Sequence, residues 1–284
     1  MIAVACKVGS ELSLSQFERL REVVRAHSGI ALRVDQLEMV SSRLSRRLRM
    51  LALQSFDDYF GLLQGAGGDE LQHLLNTFTT NKTSFFREAH HFEELRARVL
   101  QPKLRCTASP HLRIWSAGCS TGEEPYSVVA TLLQAISEWE RADIKVLASD
   151  IDTQVLQTAE RAVYRAEKGE ELPPEIARRW FVRGTGEKSG FLRARRELRE
   201  RVSFRRINFI DPQWPVRARF DAIFCRNALI YFDLPVQRQI VARLLTYLAP
   251  GGLLLLGHSE AMAGTRPDLR SLGRTTYLYL GDGG

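Results

Sequence analysis

The stretch Leu112-Arg113-Ile114-Trp115-Ser116-Ala117-Gly118-Cys119-Ser120-Thr121-Gly122-Glu123-Glu124 decides the fold. An apolar run from Leu112 to Ala117 stops at Gly118, and a helix-like segment runs from Glu123 to Trp139. The pattern then repeats. Ile144 to Ser149 is a second apolar run ending in Asp150, followed by a helix from Thr153 to about Ala162. Asp221 to Cys225 is a third, followed by a helix from about Pro235 to Leu248. Pro250-Gly251-Gly252 turns into the run Leu253 to Leu256, and Thr275 to Leu280 is a last strand. Short apolar strands alternating with amphipathic helices predict an α/β, mostly parallel, doubly wound sheet. Such sheets bind ligands at the carboxyl ends of their strands, so the residues that end each run are the candidates.

Upstream the texture is helical. Leu14, Phe17, Leu20, Val23 and Val24 recur at three- and four-residue spacing, as do Met39, Val40, Leu44, Leu48 and Leu51. A third helix is predicted over Phe56 to Leu63, broken by Gly65-Ala66-Gly67-Gly68, and a fourth from Glu70 to about Phe78. Residues 1–85 therefore read as a helical domain, 86–110 as a linker and 111–284 as the α/β domain. From about 180 to 207 the alternation gives way to short strands and turns, read as a small antiparallel insertion.

The chain has 284 residues, 44% hydrophobic and 26% charged, within the range of a folded domain. It contains no run of about 18 apolar residues that would span a bilayer, and Met1 to Ser10 lacks the pattern of a secretory signal. Cys6, Cys106, Cys119 and Cys225 are far apart, which argues against zinc and disulfides and for a reducing cytoplasm. The net charge of +7 fits either a plain solvated surface or an acidic partner.

The turn after the first strand departs from the dinucleotide GxGxxG pattern, and Glu123 and Glu124 would repel a pyrophosphate. A cationic, phosphate-free nucleoside such as S-adenosylmethionine suits it better, although a merely tight strand–helix turn explains the glycines equally well. Asp150 ends the second strand, where an acid can accept from ribose hydroxyls. Asp152 is the alternative for that task, and it also suits the N-cap of the helix from Thr153.

Five segments in order then carry a resemblance. They are Thr79-Thr80-Asn81-Lys82-Thr83-Ser84-Phe85-Phe86-Arg87-Glu88, Ile114 to Ser127, Ala148-Ser149-Asp150-Ile151-Asp152, Phe224 to Phe232, and Gly257-His258-Ser259-Glu260. Together they closely resemble the chemotaxis receptor methyltransferases, the CheR family, over nearly the whole chain. The resemblance implies a class I S-adenosylmethionine methyltransferase, Rossmann-like, with an all-helical N-terminal domain and an inserted β-subdomain. It implies transfer of a methyl group to receptor glutamates, with S-adenosylhomocysteine as product; no metal site is expected from the residues.

By the same resemblance Asn81, Thr83 and Arg87 line the cofactor pocket, with Gly118 in its turn. Glu124 and Asp150 hold the amino and ribose groups. Asn208 and the backbone of Phe209 flank the adenine, and Arg226 and Asn227 complete the site. The family commonly has Leu at the position of Phe209, which is harmless if only backbone is used. Residue by residue, plainer readings stand beside these. Asn81 and Thr83 can cap a helix beginning near Ser84, Arg87 can pair with Glu88 or Glu94, and Phe85-Phe86 reads as core. Cys119 and Cys225 read as buried fillers rather than nucleophiles.

A glutamate acceptor is already ionised at neutral pH, so the reaction needs alignment rather than a strong base. Arg87 and Tyr231 are the candidates to aim that carboxylate. The segment Arg226-Asn227-Ala228-Leu229 lacks the Asn/Asp-Pro-Pro-aromatic pattern of nitrogen methylation, which favours an oxygen acceptor. Arg43, Arg46, Arg47 and Arg49 share a helix face suited to an acidic helical receptor, or to solvent. In the insertion, Gly184, Gly186 and Gly190 with Arg193 and Arg195 resemble family members that grip a receptor's C-terminal pentapeptide. The expected partners are those receptors, with no nucleic acid and no membrane insertion, and the expected state is a monomer. A nucleic-acid methyltransferase and a non-catalytic cofactor-sensing adaptor are the rival readings.

Overall fold

The computed structural model describes residues 12–65, 68–261 and 266–281. Met1 to Ser10, Cys6 and the Ala66-Gly67 part of the helix breaker lie outside them. The described residues form two compact units, those up to 80 with 231–233, and the remainder from 81 onward.

The first unit is helical, with α1 (Leu14–Ser28), α2 (Leu37–Met50), α3 (Phe56–Gly65) and α4 (Gly68–Phe78). Ser13 caps α1 by accepting the Gln16 N–H, and Gln16 accepts the Ser13 N–H in return. Gly29 closes α1 in a left-handed conformation at φ 74°. Phe17, Leu20, Val24, Val40, Leu44, Leu48, Phe56, Phe60, Leu74 and Leu75 form its core. Leu14, expected on the buried face of α1, is 58% exposed because it sits in the first turn. Tyr231–Asp233 pack with this unit: the Tyr231 carbonyl accepts the Ala31 N–H at 2.9 Å, and Asp233 pairs with Arg25.

The second unit opens with α5 (His90–Glu94), a π-turn over Leu95–Leu100, and α6 (Gln101–Cys106). Much of the expected linker is therefore helical. A seven-stranded sheet follows, built from β1 (His111–Ala117), β2 (Asp143–Asp150), β6 (Val202–Arg206), β7 (Phe220–Cys225), β8 (Leu248–Leu256), β9 (Leu269–Gly273) and β10 (Thr276–Tyr279). Its order is β6-β2-β1-β7-β8-β10-β9, parallel from β6 to β8 and antiparallel thereafter. Helices α7 (Glu123–Gln134), α8 (Thr153–Arg161) and α11 (Leu234–Thr246) make the crossovers. Trp115, wholly buried in β1, packs edge-on against Trp214 and donates its indole N–H to Ser149 Oγ at 2.9 Å.

Strand order reverses between β1 and β7, which leaves a crevice outside their carboxyl ends. The loops after β1 and β7 face that switch point.

The second, three-stranded sheet has the order β3-β5-β4, with β3 (Val163–Arg165), β4 (Phe181–Arg183) and β5 (Phe191–Ala194). Between them lie α9 (Pro174–Trp180) and, after β5, the single turn α10 (Arg196–Arg199). Its strands come from 163–194, whereas the sequence pattern placed the insertion at about 180–207. Val202 to Arg206 is instead the outermost parallel strand, paired with β2. An arginine-rich edge strand covered on few sides has the same short alternating texture as an antiparallel hairpin, and only the pairing separates the two. Val163 and Val182 flank Arg193 in register, and Arg165 lies opposite Phe191. All five side chains are exposed, forming one outer face of arginine and apolar residues.

Candidate active site

The turn after β1 is built on unusual backbone. Gly118 and Gly122 have φ 87° and 94°, and Ser120 between them has φ 49°. A Cβ on Gly118 would stand 2.9 Å from Ala228 Cβ, so the β1 and β7 loops touch there without room for a side chain. Phe86, Glu88 and Asn227, from the adjoining segments, are also left-handed. Non-glycine residues in this region cost about 1–3 kcal/mol each and cluster at functional sites.

Two acids face this crevice. Asp150 accepts the Ser120 N–H at 2.9 Å and the Asp152 N–H at 3.0 Å, one on each carboxylate oxygen. Burial pushes its carboxyl up to about 6 despite these bonds. Glu124, in the first turn of α7, accepts from Ser116 Oγ at 2.7 Å and lies 3.3 Å from Arg226 Nη1. Burial raises this carboxyl too, against the pull of Arg226 and Ser116. The Arg226 side chain is 2% exposed and also approaches Glu88 and the Arg87 carbonyl. One buried guanidinium thus serves two carboxylates, and a ligand bringing an ammonium or sulfonium would balance the charge. That donor set fits S-adenosylmethionine.

The segment from Asn81 crosses the same loops. Asn81 Nδ2 donates to Asp152 Oδ2 at 2.9 Å, and its carbonyl accepts Ser120 Oγ–H at 3.0 Å. Residues 81–84 are not helical, so Asn81 and Thr83 cap nothing. The Thr83 carbonyl accepts from Lys168 Nζ at 2.7 Å, and Arg87 Nη1 donates to the Lys82 carbonyl at 3.1 Å. Phe85 is core, edge-on to Tyr164 and Phe181. Asp152 caps α8 through the N–H groups of Gln154 and Val155. Asn208 is buried after β6, its carbonyl accepting the Trp214 indole N–H at 3.0 Å, and the Phe209 ring packs on Trp214.

Glu260 escaped the sequence reading. Its carboxylate accepts the N–H groups of Asn227, Gly257 and Leu229 at 2.7 Å each, and Ile230 at 3.3 Å. It ties the loop after β8 to the loop after β7 and holds Asn227 at φ 57°. The available signal was an acid just past a strand end in a quoted motif. Cys119 and Cys225 are buried, and burial pushes both thiols up, away from reactivity.

Tyr231 ends the 3₁₀ turn Leu229–Tyr231 and belongs to the helical unit. There Arg43, Arg46 and Arg49 are exposed on α2. Arg47 is not part of that surface. Its Nε donates to Glu70 Oε1 at 3.0 Å, beside a 2.8 Å bond from the Tyr59 hydroxyl to the same oxygen. Helical geometry turns position 47 towards α4, away from 46 and 49. Gly184, Gly186 and Gly190 shape the β4–β5 connection, where a Cβ on Gly184 would overlap the Lys188 carbonyl at 1.9 Å. Arg193 and Arg195 are exposed beside it. Among the described residues, Glu88, His90 and His91 bring possible metal ligands within 4.8 Å of one another, but Arg226 Nε lies 3.5 Å from the same Glu88 carboxylate and opposes a cation.

The family model for the CheR methyltransferase SAM-binding domain matches residues 81–278, and that for the CheR methyltransferase all-alpha domain matches 15–79. The chain is 44% identical over 264 residues to chemotaxis protein methyltransferase 2 of Pseudomonas aeruginosa, covering 92% of this chain and 91% of that one. It is 41% identical over 276 residues to the chemotaxis protein methyltransferase of Escherichia coli, covering 95% and 93%.

Proposed function

The chain belongs to the CheR methyltransferase family, and we propose that it transfers the methyl group of S-adenosylmethionine to glutamate side chains of chemotaxis receptors. The products are a glutamyl methyl ester and S-adenosylhomocysteine. The observation that carries this reading is the pairing of Glu124 with Arg226 at the β1/β7 switch point, with Asp150 ending the neighbouring strand β2.

In this reading Asp150 accepts from the ribose hydroxyls and Glu124 receives the amino group of the donor. Asn208 and Phe209 border the adenine, while Asn81, Thr83 and Arg87 close the pocket, and Gly118 and Asn227 let backbone approach. The acceptor oxygen would attack the methyl carbon in line with its bond to sulfur, whose electron pair leaves with the thioether of S-adenosylhomocysteine, and the ionised glutamate needs no base. Alignment alone lowers such a barrier by roughly 7–11 kcal/mol. Arg87 and Tyr231 aim the acceptor, one by charge and the other by its hydroxyl or ring.

Docking is assigned to Arg43, Arg46 and Arg49 for the acidic receptor helix. The outer face of the small sheet, with Arg165, Phe191 and Arg193 beside the open edge of β4, receives an acidic, aromatic C-terminal peptide. The enzyme acts as a cytoplasmic monomer. Among the described residues no helix is long and apolar enough to cross a membrane.

Labelled S-adenosylmethionine incubated with a receptor cytoplasmic fragment, or with RNA, tests the reading. Base-labile methyl on the receptor is expected; label on RNA alone, or binding without transfer, would overturn it. Titration calorimetry with a pentapeptide of that chemistry tests the tether, and absence of heat at millimolar peptide would remove it.

A further inference from the structure

We infer that Glu88 and His91 are positioning residues that set the orientation of Arg226 in the cofactor site, an inference that rests on the function proposed above. Three buried polar atoms converge there without a hydrogen-bond partner among the described residues: Glu88 Oε2, His91 Nδ1 and Arg226 Nε. Glu88 Oε2 lies 3.4 Å from His91 Nδ1 and 3.5 Å from Arg226 Nε. Buried polar atoms left unmatched cost stability, because each has lost water without gaining a partner. Glu88 adds the cost of a left-handed backbone at φ 55°. A fold retains such an arrangement where placement serves a site.

Arg226 is addressed from three sides. Nη1 meets Glu124 at 3.3 Å, Nη2 donates to the Arg87 carbonyl, and Nε points to Glu88. A guanidinium is a rigid planar fork, so three directions fix both its position and its tilt. The partners also divide its charge. If Glu88 were absent, Arg226 would pair with Glu124 alone and occupy the carboxylate that the donor's ammonium requires. Because Glu88 shares the cation, Glu124 keeps an oxygen lone pair for the cofactor while Ser116 holds its other oxygen.

His91 fixes Glu88. Its ring is wholly buried, and Nε2 lies 3.1 Å from the Arg274 carbonyl, at a left-handed residue of the β9–β10 turn. The second oxygen of Glu88 accepts the His258 N–H at 3.4 Å, in the loop that Glu260 braces. Packed contacts therefore run from the β9–β10 turn through His91 and Glu88 to Arg226 and Glu124.

The test uses the full chain with a receptor fragment, and S-adenosylhomocysteine titrated separately by calorimetry. Glu88→Gln is expected to raise the KM for S-adenosylmethionine and the Kd for S-adenosylhomocysteine about tenfold, with the receptor KM unchanged. His91→Phe should shift the same two constants in the same direction by a smaller factor. Glu88→Asp, which restores the charge, should recover part of the loss, and it replaces Glu88→Gln if that variant does not fold. Unchanged S-adenosylhomocysteine affinity in a folded Glu88 variant overturns the inference. So does a loss in which both substrate KM values move together with the melting temperature. If wild type forms no methyl ester, the proposed function fails, while the S-adenosylhomocysteine titration still decides the roles of Glu88 and His91.

Discussion

The Glu260 carboxylate accepts the backbone N–H of Asn227 at 2.7 Å, and so fixes the one left-handed residue of the loop after β7. Three further N–H groups, of Gly257, Leu229 and Ile230, meet the same carboxylate. A glutamine at this place keeps one acceptor and turns an N–H₂ towards donors. Glu260→Gln should destabilise the fold by about 1–3 kcal/mol and weaken S-adenosylhomocysteine binding. Urea unfolding and calorimetry on the same preparation check both; a variant as stable as wild type would show that the four amides do not depend on this carboxylate.

Asp150 gives a pH dependence. Burial places its carboxyl at about 6, above the ordinary carboxylate range. As pH falls through 6 the group takes up a proton and loses an acceptor site, so S-adenosylhomocysteine affinity should begin to fall near pH 6 rather than near 4. Folding moves the other way for this group. Its ionised form is the one penalised by burial, so its share of the stability is regained below about pH 6, down to the unfolded value. Asp150→Asn should bind weakly at all pH values and lose the inflection, and titrations from pH 5 to 8 read it directly.

Gly118→Ala combines a φ of 87° with a Cβ 2.9 Å from Ala228 Cβ. The expected cost is about 1–3 kcal/mol, with loss of cofactor affinity as the β1 and β7 loops part. Ala228→Gly in the same chain removes the contacted methyl and should return part of the affinity, though not the backbone strain.

The arginines of α2 divide into two kinds. Arg47→Ala strands the buried Glu70 carboxylate and should cost on the order of 3 kcal/mol of stability. Arg46→Glu with Arg49→Glu should leave the melting temperature nearly unchanged. If those exposed cations dock the receptor, that double variant raises the receptor KM several-fold while the cofactor KM stays put. Initial-rate kinetics against each substrate separate the two effects.

Sequence by itself determined what depends on local periodicity and on chain order. The strand runs ending in Gly118, Asp150 and Cys225, the helix starting at Glu123 and the cap at Asp152 are local patterns. A strand, a glycine turn and a helix leave few alternatives within a dozen residues. It also named the chemical types at the strand ends, because a parallel sheet gathers its loops at one edge wherever they fall in the chain. Only the tertiary structure decided what rests on partners far apart in sequence. Val202 to Arg206 became a parallel edge strand because β2 was there to pair with it, and Arg47 turned inward because Glu70 waited on α4. Glu260 braces Asn227 across 33 residues, and Arg226 meets the Glu88 carboxylate and, across 139 residues, the Arg87 carbonyl. Such contacts are set by packing and desolvation in three dimensions, and no spacing along the chain encodes them.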